Sequence, residues 1–165
     1  MGSGVTVRDF PAFDAKMTTV LHPPRAGVLE VDYESARTLV MAGSLQIGAF
    51  ARAGLDARQW VDKVVASVAP NAVPDYTLPG AMVGYEPGYG ESLHETGNSA
   101  DGTSTTEELV VRASAGARVA VVVLAQGDRA SVVNHLDHPT PALAYVATYA
   151  DPVVNSVEWP GAPSR

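Results

Sequence analysis

The sequence predicts an α+β fold, with a single antiparallel β-sheet packed by two main helices. Three observations carry that expectation. The run Val119-Ala120-Val121-Val122-Val123-Leu124 has little polar alternation, which is the pattern of a central strand covered on both faces. Val61, Val64, Val65 and Val68 recur at i, i+3, i+4 and i+7, one face of a helix. The apolar stretches after that helix are short and divided by glycine- and proline-bearing turns, as in a meander of hairpins.

Taken in order, residues 15–21 and 27–33 read as two short strands. Pro23-Pro24 parts them, because a proline pair has no N–H to give a central ladder. Val28, Leu29, Val31 and Tyr33 supply the apolar positions of the second. A third strand spans Thr38 to Phe50, with Gly43 and Gly48 implying a break or bulge. The first helix opens at Asp56 as N-cap. Gln59 three residues later completes a capping box of the weaker type, and Pro70 ends the helix. Valine is a poor helix former, so burial against a sheet has to hold this element.

A loop containing Pro74 and Pro79 is expected next, then strands over Ala81 to Tyr85 and Glu91 to Thr96 around a turn, Glu86-Pro87-Gly88-Tyr89-Gly90. The glycines there are expected to serve positive backbone angles. Gly97 to Thr106 has the polar composition of an exposed hairpin loop. Strands over Glu108 to Ser114 and Arg118 to Gln126, joined by Ala115-Gly116-Ala117, complete the meander. Thr140 then caps a second helix with Pro141 at its first position. Leu143, Val146, Ala147 and Ala150 form its stripe, Asp151-Pro152 ends it, and Val153 to Trp159 reads as a last strand.

Length and composition bound the functions. The chain has 165 residues, 46% hydrophobic and 18% charged, enough to bury one core and far from the composition of disorder. Met1-Gly2-Ser3-Gly4 reads as an expression remnant, residues 5–162 as one domain and 163–165 as a tail. The net charge is -7 and the arginines are scattered singly. No basic face is available to displace counterions from phosphates, which argues against nucleic acid and anionic membrane surfaces as partners. No apolar run approaches the roughly 18 residues that a bilayer crossing needs, so direct membrane insertion by this segment is not expected. The absence of cysteine excludes disulfides, thiolate zinc sites and cysteine nucleophiles, and suits either side of a membrane.

Three stretches carry a resemblance. They are Pro79-Gly80-Ala81-Met82-Val83-Gly84-Tyr85-Glu86-Pro87-Gly88-Tyr89-Gly90-Glu91, the hairpin Leu109 to Leu124, and Val153-Val154-Asn155-Ser156-Val157-Glu158-Trp159-Pro160-Gly161. In that order and spacing they resemble the C-terminal region of uncharacterised actinobacterial membrane-anchored proteins, over residues 45–162. The succession of elements is also similar to the PsbP-like α/β/α sandwich. The resemblance implies an extracytoplasmic domain at the cell envelope, and it brings no catalytic residues to carry over. Cytoplasmic placement stays open.

Each chemically suggestive constellation also has an ordinary structural role. His135-Leu136-Asp137-His138 holds the side chains of a metal or acid–base site, with His94 or Glu95 as a possible third ligand. It precedes Pro139 in a predicted loop, where a solvated stretch is the simpler reading. Ser44 follows Gly43, but Gln46 stands where a nucleophile elbow wants its final glycine. Gly84, Gly88 and Gly90 match neither nucleotide-binding loop. Glu86, Glu91, Glu95, Glu107 and Glu108 leave a paired-carboxylate site open, although Glu107 and Glu108 point to opposite strand faces. Tyr85, Glu86, Tyr89 and Glu91 cluster on the predicted turn and make the best candidate binding patch, since aromatic residues favour interfaces. Trp60 and Trp159 read as structural, Trp159 pinning the last strand.

The function expected is a non-catalytic binding or assembly module that takes a protein or small ligand at the envelope and needs no cofactor. The runner-up is a small metal-assisted or acid–base enzyme using His135, Asp137 and His138. A structural spacer is the third possibility.

Overall fold

The computed structural model describes residues 4–7, 17–25, 27–35, 41–98, 102, 104–128 and 151–161. Its elements are β1 (Thr6–Val7), β2 (Met17–Arg25), β3 (Val28–Ser35), β4 (Met41–Ala51), α1 (Ala57–Val68), β5 (Val73–Val83), β6 (Glu86–Asn98), β7 (Ser104–Ala115), β8 (Val119–Asp128) and β9 (Val157–Glu158). Seven antiparallel strands form one sheet in the order β2-β3-β4-β8-β7-β6-β5, while β1 and β9 pair as a separate ribbon. The fold is therefore α+β and dominated by the sheet.

The middle of the sheet belongs to β8, as its unbroken apolar run requires. Strand alternation sends Val121, Val123 and Ala125 to one face, where they meet Val31, Leu45, Ile47 and Val110. Ala120, Val122 and Leu124 go to the other, beside Leu93, Leu109, Val111 and Ala113. The second face is covered by α1 through Trp60 and Val61. The first is covered by Val5 near the chain start and by Val153, Val154 and Val157 near its end. A fully buried valine contributes about 1.5–3 kcal/mol relative to an exposed one, so these covers hold the two terminal segments to the sheet.

The first helix matches its expected start, and both halves of the capping box are present, Gln59 N–H to Asp56 Oδ1 at 2.8 Å and Asp56 N–H to Gln59 Oε1 at 2.9 Å. Its stripe is narrower than the periodicity suggests. Val61 is buried, Val64 and Val65 are half-buried, and Val68 is exposed. Trp60 is buried, stacks on Phe50 with centroids 5.4 Å apart, and carries Lys63 over its ring.

Several expectations are corrected. Pro23-Pro24 lies within β2, which tolerates it because β2 is an edge strand whose register jumps from His22↔Glu30 to Arg25↔Val28. Pro74 and Pro79 likewise sit in β5, at the opposite edge, next to register shifts, rather than in a loop. Strand β4 runs through Gly43 and Gly48 without a break; the bulge expected at Gly43 is present beside it, between Tyr33↔Gly43 and Glu34↔Met41, while none falls at Gly48. The hairpin loop after β6 is shorter than predicted, with Asn98 already paired to Ser104.

The last strand is shorter too. Residues 151–155 are helical, and only Val157–Glu158 extend. A strand would turn one of the neighbours Val153 and Val154 outward, whereas a helical turn buries both, and Ser156 Oγ–H caps it on Val153 O at 2.8 Å. Asp151-Pro152 therefore does not end a helix. The second of the two predicted main helices, from Thr140 to Ala150, lies outside the described residues.

Candidate functional site

The β5–β6 connection is two residues, Gly84 and Tyr85, with φ of 58° and 65°. Both central residues left-handed is the geometry of a tight hairpin turn matched to strand twist. The predicted turn over 86–90 is thus corrected: those residues already belong to β6 and alternate across the sheet. Gly84 meets a second demand, since a Cβ there would lie 2.1 Å from Val157 O. Gly88 and Gly90 are needed for proximity rather than for positive φ, because a Cβ on Gly88 would stand 1.9 Å from Ala113 O.

This turn is stapled to the end of the chain. Gly84 N–H donates to Val154 O at 3.0 Å, and Trp159 Nε1–H donates to Val83 O at 2.9 Å. Trp159 thus pins the last segment, and its six-membered ring lies over Gly116, where a Cβ would be 3.2 Å from Cζ3. The β7–β8 turn is closed by Gly116 N–H to Val119 O and buttressed by Arg52, whose Nη1 donates to Gly116 O at 3.4 Å.

Where these three segments converge, a cleft of about 660 Å³ opens. Glu86, Arg118, Val119, Trp159 and Pro160 line it together with the 116–117 turn. Glu86 and Arg118 are exposed, and neither side chain has a hydrogen-bond or ion-pair partner among the described residues. Tyr85 stands beside them on the turn, 56% exposed in spite of its left-handed backbone.

The four-residue patch expected from sequence is therefore divided. Tyr85 and Glu86 lie at the cleft end. Tyr89 and Glu91 lie further along β6 on the face that α1 covers, with Tyr89 Oη–H donating to Glu91 Oε1 at 2.7 Å and Arg58 over the Tyr89 ring. The Glu91 carboxylate holds the Tyr89 phenol above its ordinary pKa of 10.0, first by accepting its proton in that bond; desolvation adds to this and Arg58 opposes it.

Of the other candidates, His94 Nδ1 lies 2.8 Å from Asp75 Oδ1, on the exposed β5–β6 edge. Glu95 stands opposite Glu107, and His94 opposite Glu108 on the other face. The Glu95–Glu107 juxtaposition is the carboxylate pairing that sequence left open; neither residue lines the cleft. Ser44 is a buried strand residue opposite Asp32, whose carboxylate is engaged 2.6 Å from His22 Nε2. His135, Asp137 and His138 lie outside the described residues. Among the described residues no group of three or more His, Asp or Glu is placed to hold a metal ion, and no helix is long and apolar enough to cross a membrane.

Arg118 and the cleft role of Trp159 escaped the sequence reading. The one signal was the Gly116 turn, and nothing in the sequence tells that a tryptophan 43 positions further on (159 − 116) packs over it.

No protein-family model matches the chain, and no curated protein matches it. Five solved chains do. One is a crystal structure from Bacteroides thetaiotaomicron, 14% identical with a TM-score of 0.42; the match covers 99% of this chain and 52% of that one, so this chain spans about half its length. That likeness carries no argument about fold or function.

Proposed function

We propose that this chain is a non-catalytic extracytoplasmic binding or assembly module of a membrane-anchored actinobacterial protein, with its contact site in the cleft between Glu86, Arg118 and Trp159. The observation that carries the site is an anchored indole in one cleft with two opposite charges whose side chains have no partner among the described residues. A concave site of roughly 300–1,000 Å³ with a few polar groups is what small ligands use. Tyr85, strained and exposed on the turn next to Glu86, supports the same end of the molecule, since strained residues gather where function needs them. Placement at the envelope rests on the resemblance of residues 79–91, 109–124 and 153–161. The PsbP-like reading draws its support from the layering, with α1 on one face of the sheet and the helical turn at 151–155 on the other.

The test is native mass spectrometry of the domain, purified without a polyhistidine tag, before and after incubation with an envelope extract. An added mass that Glu86→Ala and Arg118→Ala both abolish supports the reading, and an added mass that neither variant affects removes the cleft from it. Homo-oligomers alone point to the spacer role. Stoichiometric metal by elemental analysis points instead to the enzyme reading on His135, Asp137 and His138.

A further inference from the structure

Resting on that reading, we infer that the cleft takes a neutral saccharide, with one sugar ring laid against Trp159 and its hydroxyl groups bonded by Glu86 and Arg118. The indole N–H is already spent on Val83 O, so Trp159 offers a ligand only its π surface and apolar edge. The ring is also fixed in place, between that bond and the bare Cα of Gly116, so little ordering cost remains to be met on binding. An aromatic face is electron-rich and attracts weakly positive C–H bonds, which one side of a pyranose presents as a flat array.

The polar groups narrow the class further. An ionised carboxylate only accepts hydrogen bonds and a guanidinium only donates them. A ligand that satisfies both must donate and accept within one small body, as a polyol does. The two charges on the cleft cancel, giving no preference for an ion, and the chain's net charge of -7 disfavours phosphates and other anions. A purely apolar ligand would leave both charges desolvated and unpaired.

A peptide strand is the nearest competitor, since its backbone also donates and accepts. Peptides of that kind bind by extending a sheet edge. The cleft lies at the turns that join strands, and the nearby edge strand β5 is interrupted by register shifts after Pro74 and Pro79. Main-chain pairing therefore has little continuous edge to follow there.

The experiment is a titration of the isotope-labelled domain with soluble chitooligosaccharide, cellooligosaccharide and mannooligosaccharide, following the two indole N–H resonances by NMR. Trp159→Phe assigns them. The Trp159 signal is expected to move saturably with at least one sugar, while the Trp60 signal, from α1 on the far face, stays still. Glu86→Ala and Arg118→Ala change exposed side chains outside both cores, and each is expected to weaken binding at least tenfold. Movement with no sugar overturns the saccharide inference. If the extract then yields a bound mass that the same two variants abolish, the cleft stands as a binding site for another class, a peptide first. If neither sugar nor extract binds, the binding reading falls with it. A saturable shift that both variants leave unchanged places the sugar elsewhere and overturns the inference as well.

Discussion

Substituting Gly88 and Gly97, two glycines of the same strand, with alanine should have opposite consequences. On β6, Gly88 stands opposite Ser114, and a Cβ there would fall 1.9 Å from Ala113 O and 2.5 Å from Ser114 Oγ. The closest of these atoms belongs to the β7 backbone, held in the ladder on both sides, so it cannot yield as the tip of a flexible side chain does. Forced overpacking of this kind costs about 1–3 kcal/mol. Moving Ser114, which is fully buried, also strains its Oγ–H bond to Glu86 O at 2.8 Å, at about 0.5–1.5 kcal/mol. Gly88→Ala should therefore destabilise by about 2–4 kcal/mol. For Gly97 the nearest atom to the added Cβ is Thr105 Oγ1 at 3.7 Å, an ordinary contact. Alanine there removes conformational freedom from the unfolded chain and should stabilise by up to about 0.5–1 kcal/mol. With a urea m-value of about 2 kcal/mol/M, the first midpoint drops by about 1–2 M and the second holds or rises slightly. Equal shifts for the two variants would refute the argument from strand-to-strand distance, and a neutral Gly88→Ala would refute the register of β6 on β7.

Three further outcomes follow from local geometry. Asp56→Ala removes the side-chain half of the capping box, the Gln59 N–H to Asp56 Oδ1 bond, and should cost about 1 kcal/mol in urea unfolding, whereas Asp56→Ser should recover most of it. Trp159→Phe keeps a ring over Gly116 but leaves Val83 O without its donor, and should lower stability by about 1 kcal/mol; no change would mean that the staple between the chain end and the β5–β6 turn holds nothing. The raised pKa of Tyr89 means the folded state keeps the phenol protonated where the unfolded chain begins to lose it, so its contribution is complete below pH 10.0 and is lost as pH rises through the folded-state value. Phenolate absorbance, taken as the difference between wild type and Tyr89→Phe, should titrate at lower pH in Glu91→Gln than in the parent, and coincident curves would exclude Glu91 as the cause.

What was legible in the sequence is what local periodicity encodes. The capping box, the valine face of α1 and the central position of Val119 to Leu124 all follow from spacing alone, because each is imposed by a helix or sheet on its own residues. What failed depended on position in the sheet. Pro23-Pro24 and Pro74 read as breaks, yet both lie in strands, since β2 and β5 are edges and an edge strand has one side free of ladder bonds. No residue pattern says which strand will be last. Gly88 read as a turn glycine for the same reason: a close approach by β7 is invisible until the strands are paired. The binding patch was divided by the correction that moved the turn to Gly84 and Tyr85, which returned Glu86 to Glu91 to a strand whose side chains alternate.

The cleft also shows why no motif could have announced it. Its walls come from residues 86, 116–119 and 159–161, three segments that are distant in sequence and brought together by two hairpin turns and the chain end. Within it, shape and recognition are carried by different residues. Gly84, Gly116 and Trp159 set the shape, through a left-handed turn, a missing Cβ and a part-buried hydrogen bond, and Trp159 packs against the core beneath. Glu86 and Arg118 are exposed and belong to neither core, and their side chains hold no bond among the described residues. Exchanging them should alter what binds by more than it alters folding, since exposed substitutions away from structural features usually stay within about 0.5 kcal/mol. Substituting Gly84 must change the fold first, because an added Cβ would collide with Val157 O, and substituting Gly116 would press on the Trp159 ring that forms the site. That separation is what a scaffold needs if one cleft is to be adapted to different ligands, and it makes Glu86 and Arg118 the positions where binding can be probed without confounding it with stability.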